Sequence, residues 1–156
     1  MPIWSVVKIN DAIEMVKKAI INKAPQKVLL NVGLNDIDEN TDISEMVSDY
    51  KILLSSLHEK MPESKIYLSS VFKRKDDKFT QEIEDINTQL SNLENTWFIF
   101  IHHTNINNTD MMYEPKHINK KGFFVMITNL KYVMYKILPS IQTRYSNPRY
   151  RRRPTH

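Results

Sequence analysis

The chain has no cysteine among its 156 residues, so no disulfide framework braces it. It also has no apolar run near the roughly 18 residues that a bilayer crossing needs, which excludes a membrane partner reached by a spanning segment. The opening Met1-Pro2-Ile3-Trp4-Ser5 lacks the basic start, apolar stretch and small-residue cleavage site of a secretory leader. A cytoplasmic location is the expectation. Glycine is scarcer than in ordinary globular chains, with only Gly33 and Gly122 present. Because glycine serves where backbone must bend sharply or come close to a neighbour, the placement of these two is informative.

What is present is an ordinary globular composition, 41% hydrophobic and 26% charged, of a size that suits one domain. The net charge of +4 is unevenly placed. Arg144, Arg149, Arg151, Arg152 and Arg153 crowd the end of the chain, and without them 17 basic residues face 18 acidic ones. The body is therefore near neutral, and polyanion affinity, expected to be weak, belongs to the tail. Residues 1–139 read as the domain and 140–156 as a basic, disordered tail, for which a solvated end is the alternative to nucleic-acid contact.

The apolar pattern predicts alternating elements. A helix capped by Asn10 carries Ile13, Val16, Ile20 and Ile21 and stops before Pro25. Residues 27–33 form a strand too apolar for an open edge. A helix spans Ile43 to Lys60, with Pro62 behind it, and a strand follows over 65–71. After a polar loop, Ile83, Ile86, Leu90 and Leu93 mark a third helix, and residues 96–101 a third strand. Its Trp97, Phe98 and Phe100 read as core. An Asn-rich loop leads to a final helix over about 119–138 with Phe123, Ile127, Leu130 and Met134 on one face. This order implies an α/β three-layer sandwich, a short parallel sheet flanked by helices, with ligands at the carboxyl ends of the strands.

Gly33 ends the first apolar strand and is followed by Leu34-Asn35-Asp36, which puts an amide and a carboxylate at that edge. Asn35 could donate to a developing oxyanion; taken alone, the four residues read better as a turn with a helix-capping role. His117 precedes Gly122 on a loop before the last helix, with Glu114 three residues earlier. The pair could act as a general base and its orienting carboxylate, or be a surface histidine with an unrelated charge nearby. His102 and His103 are neighbours on a strand end and so point to opposite faces; with no third ligand they make no metal site. Ser69 and Ser70 lack the glycine-flanked turn of a nucleophile elbow and read as a polar strand cap.

In this order, Gly-x-Asn-Asp after a strand and acidic-x-x-His before the last helix resemble two motif blocks of the SGNH (GDSL-type) hydrolases, esterase-like enzymes. Ile66 to Val71 with Arg74, Ile86-Asn87-Thr88-Gln89-Leu90, and His117-Ile118-Asn119-Lys120-Lys121-Gly122 are similar to further segments of that family, over roughly residues 9–138. In style the chain is similar to esterase-like domains of mobile-element-related open reading frames. The resemblance implies a flavodoxin-like layering and His117 and Glu114 as catalytic residues. It also implies Asn35 and Gly33 at the oxyanion, Asp36 and Asn119 in support, an ester-type small-molecule ligand and no cofactor or metal.

The serine nucleophile and its Gly-Asp-Ser motif are not found: the 32 residues before Gly33 hold only Ser5, and no glycine. The expectation is thus an amino-terminally truncated domain, inactive alone, a pseudoenzyme in effect. Its missing first strand would be replaced by Ile3 to Lys8 or by a second chain covering the strand edge. A non-catalytic binding or assembly module and a nucleic-acid accessory acting through the tail are the alternatives.

Overall fold

A computed structural model of the chain describes residues 3–4, 8–106, 111–112 and 117–135. The elements are β1 (Ile3–Trp4), α1 (Ile9–Lys18), β2 (Lys27–Leu30), α2 (Leu34–Asp38), α3 (Ile43–Lys60), β3 (Lys65–Ser69), α4 (Thr80–Ser91), β4 (Phe98–Ile101) and α5 (Lys120–Tyr135). The four strands form one parallel sheet in the order β1-β2-β3-β4. Each right-handed crossover steps one place in the same direction, which puts α1, α3 and α4 on one face. α5 covers the other, and the three-layer expectation holds.

Strand alternation divides the core. Val28, Leu30, Ile66, Leu68 and Phe98 face the three-helix side, whereas Leu29, Tyr67 and Ile101 face α5. α3 is the central pillar. Asp42 caps it by accepting from the Ser44 backbone N–H at 2.8 Å, and Met46, Val47, Tyr50, Leu53, Leu54 and Leu57 are buried along it. Each such leucine contributes roughly 1.5 to 3 kcal/mol by leaving water.

Several boundaries differ from the sequence expectation. Asn10 lies inside α1, which starts at Ile9 and ends at Lys18, so Ile20 and Ile21 fall outside it and are exposed. The stop comes from elsewhere in the fold: Lys60, at the end of α3, donates to the carbonyls of Lys17 and Ala19. The strands are shorter than expected at 27–30, 65–69 and 98–101, because the chain turns into loops where the ladder ends. On α5 the buried face is Gly122, Met126 and Leu130, while Phe123 is 51% exposed, so it does not belong to the inward face. The place beside β2 is filled by β1, with Ile3 opposite Leu29 and Trp4 opposite Leu30.

Candidate functional site

Because every strand runs the same way, the segments leaving β2, β3 and β4 emerge on one edge of the sheet. α5 begins at that edge. Its last residue, Tyr135, holds the Lys27 ammonium 4.6 Å from its ring centre, and Lys27 opens β2 at the opposite edge. The start of α5, and His117 before it, therefore belong with the strand ends. Lys75, beyond β3, donates to the Met112 carbonyl at 3.4 Å, which joins two of these segments.

Gly33 turns the chain out of β2 at φ +119°, a left-handed conformation that side chains oppose. A methyl there would meet the Tyr50 hydroxyl at 1.9 Å and a Val71 methyl at 3.3 Å. Tyr50, fully buried on α3, donates its hydroxyl to the Val32 carbonyl, and burial pushes its pKa far up, so it stays a donor. Val71 is fixed in turn by Asn87 on α4: the amide oxygen accepts the Val71 N–H at 2.8 Å and the amide nitrogen donates to the Val71 carbonyl at 2.9 Å. One side chain thus replaces a strand neighbour where β3 has ended.

Asn35 follows in α2 and is half-buried. Asp36 is buried at 3% exposure, and its carboxylate accepts the Ile9 N–H at 3.1 Å, holding the first turn of α1. Burial raises its pKa above the ordinary carboxylate value. Its observed work is to join the Gly33 turn to α1. Arg74 makes a second tie: its guanidinium grips Asp76 at 2.9 and 2.8 Å and reaches Asp38 at the end of α2. The guanidinium holds the Asp76 carboxyl well below its usual range.

On the β4 side, His117 is exposed, and Ile118 pairs with Met112 in an antiparallel bridge. Asn119 caps α5, its side-chain oxygen accepting the Gly122 N–H at 3.0 Å. Gly122 has no room for a side chain, since a methyl would lie 2.5 Å from the Met111 carbonyl oxygen. Beside His117 lies an open hollow of about 470 Å³ lined by Ile118, Asn119, Lys120 and Phe123. Glu114 lies outside the described residues, as do Ser5 and the arginines of the tail. Asn35 and His117 share the edge, on segments whose strands are two places apart, ~10 Å at sheet spacing.

A buried polar network between β3 and β4 escaped the sequence reading. Ser69 Oγ lies 3.0 Å from His103 Nε2, the His103 N–H donates to Ser70 Oγ at 2.9 Å, and Asn129 on α5 donates to His103 Nδ1 at 2.9 Å. With the Asn129 amide so placed, Nδ1 accepts and the ring proton is assigned to Nε2, toward Ser69. That polarity is the reverse of a nucleophile and its base. Ser69, Ser70 and His103 are at most 3% exposed, and desolvation lowers the His103 pKa to about 4. The two serines are more than a strand cap: they hold a neutral histidine in the core. His102 is exposed, on the other face as expected.

Among the described residues no three His, Cys, Asp or Glu side chains gather as a metal site, and no described helix is long and apolar enough to cross a membrane. No family model matches the chain, and no curated protein matches it in sequence. Solved structures do match in shape. A Streptococcus pneumonia protein provisionally described as a platelet activating factor superposes with a TM-score of 0.74 at 16% identity, covering 83% of this chain and 69% of that one. A carbohydrate esterase family 3 structure from Talaromyces cellulolyticus gives 0.67 at 16% identity over 88% and 69%. The Clostridium thermocellum family 3 carbohydrate esterase gives 0.69 at 12% over 86% and 68%. The fold is the SGNH-type fold of these esterases.

Proposed function

We propose that this chain is an SGNH-type esterase domain that keeps a ligand cleft at the carboxyl edge of its sheet but does not hydrolyse esters alone. The observation that carries the proposal is the state of the described serines at that edge: Ser69 and Ser70 are sealed in the core and engaged with His103. In this reading Asn35 donates to the carbonyl oxygen of an ester-type ligand beside the Gly33 turn, with Asp36 holding the turn. His117, oriented by Glu114 and set in place by the Asn119 cap, faces the ligand as a general base without a serine to serve. Without a serine the acyl-enzyme route to hydrolysis is closed, whatever groups remain around the ligand.

Hydrolysis of 4-nitrophenyl acetate by the chain and by its His117→Ala and Asn35→Ala variants tests the reading. Equal rates in all three are expected; turnover that collapses on removing His117 would refute it. A second reading, a non-catalytic assembly module, draws on the short β1 ladder, whose two described residues pair Leu29 and Leu30 of β2. Light scattering decides it, a dimer supporting the module and a monomer opposing it.

A further inference from the structure

The walls of the hollow beside His117 are set by packing. Gly122 lets the first turn of α5 lie against Met111 and Ile118, where a methyl would stand 2.5 Å from the Met111 carbonyl oxygen and 3.0 Å from the Ile118 Cβ. The Asn119 N–H donates to the same carbonyl at 2.7 Å, and Ile118 is bridged to Met112. Ile118 and Asn119 are thus held half-buried, while Lys120 and Phe123, one turn apart on α5, line the hollow from its exposed side. The hollow also looks toward the Gly33 turn. Asn129 faces His103 beyond β4, and Met126 lies 4.0 Å from the Asn31 amide beyond β2. Phe123 is one further three-residue step around the helix in the same sense, about 60° per step. Its flank of α5 is therefore turned away from β4, toward the segment that carries Asn35.

Chemically the hollow is apolar with one charge. Ile118 and Phe123 offer hydrocarbon and a ring. Among the described residues Lys120 is the charged group that lines it, and Lys120 enters none of the ion pairs they form. The volume of about 470 Å³ is that of a small-molecule site. We infer that the hollow seats the body of a negatively charged ester, with the Lys120 ammonium pairing a carboxylate of the ligand and the Phe123 ring covering its hydrocarbon or aryl part. The inference rests on the reading that Asn35 and His117 flank an ester-type ligand, and it adds the class: esters that carry an acid group on an apolar body. A cationic ester would meet Lys120 as a like charge, and a neutral one would gain nothing from it.

Amide-shift titration of the full ¹⁵N-labelled chain with 4-butyryloxybenzoate and with its neutral counterpart, 4-butyryloxybenzamide, tests the site. The benzoate should bind about fivefold more tightly, the size of one partly exposed ion pair, and its advantage should shrink as salt is raised. Amides of residues 118–123 and of Asn35 should shift. Lys120→Met should bring the two ligands to equal affinity by weakening the benzoate alone. Phe123→Ala should weaken both about fivefold, since each ligand loses the ring that covers it. Lys131→Met, about 16 Å further along the helix, should change neither. Thermal melting checks that each variant folds, and the comparison of the two ligands on the wild-type chain needs no variant. Equal affinities in the wild type, or a preference kept in folded Lys120→Met, with Asn35 still shifting, would overturn the inference and leave the ester reading standing. No shift at Asn35 or around the hollow with either ligand would overturn both.

Discussion

The Tyr50 hydroxyl occupies the space a side chain at Gly33 would need, 1.9 Å from where its first carbon would stand. The turn that carries Asn35 and Asp36 therefore depends on a contact between α3 and the end of β2, seventeen residues apart in sequence.

Gly33→Ala should cost about 2 to 4 kcal/mol in urea denaturation, combining a left-handed φ forced on alanine with a clash that the buried ring cannot escape. Tyr50→Phe removes the clashing oxygen but orphans the Val32 carbonyl. The double variant should therefore be more stable than the sum of the single effects implies. Strict additivity would mean that the two residues are not coupled.

Asp36 gives a pH signature. Its pKa is raised in the folded chain, chiefly by burial, so its contribution is fully present below the unfolded value of 3.8 and is lost as pH rises through the folded pKa. Asp36→Asn cannot ionise. The stability of wild type relative to this variant should fall as pH climbs from about 3.8 and then level off, and a difference flat with pH would contradict the assignment.

His103 behaves oppositely. Its pKa is lowered from 6.5 to about 4, so the stability it contributes is present above 6.5 and is lost as pH falls toward 4. The loss between pH 7 and 4.5 should be on the order of 2 to 3 kcal/mol and should disappear in His103→Gln. An NMR titration showing the ring protonated by pH 6 would remove the neutral, Nε2-protonated form from the account.

Much of this architecture is legible in the sequence because it is local. The bounds of α3 at Ile43 and Lys60 follow from a capping aspartate, a helical apolar period and a proline just beyond. The two glycines also mark their places correctly, each at a point where a side chain meets an obstacle. What the sequence does not disclose comes from distant contacts. Ile20 and Ile21 continue the apolar period of α1, yet the helix ends because Lys60 caps its carbonyls from 41 residues away or more. His103 joins Ser69 and Asn129 across 34 and 26 residues, and no spacing rule links those three. Phe123 fits an inward helical stripe by period, but Gly122 brings the helix so close to Met111 that the inward face rotates toward the glycine.

The central claim is that this esterase fold holds no activated serine. The direct test is intact-mass spectrometry of the full chain after incubation with a fluorophosphonate, alongside His117→Ala and Ser69→Ala. An unmodified mass is expected in all three. A stoichiometric adduct on one serine of the wild-type chain, lost in His117→Ala, would contradict it.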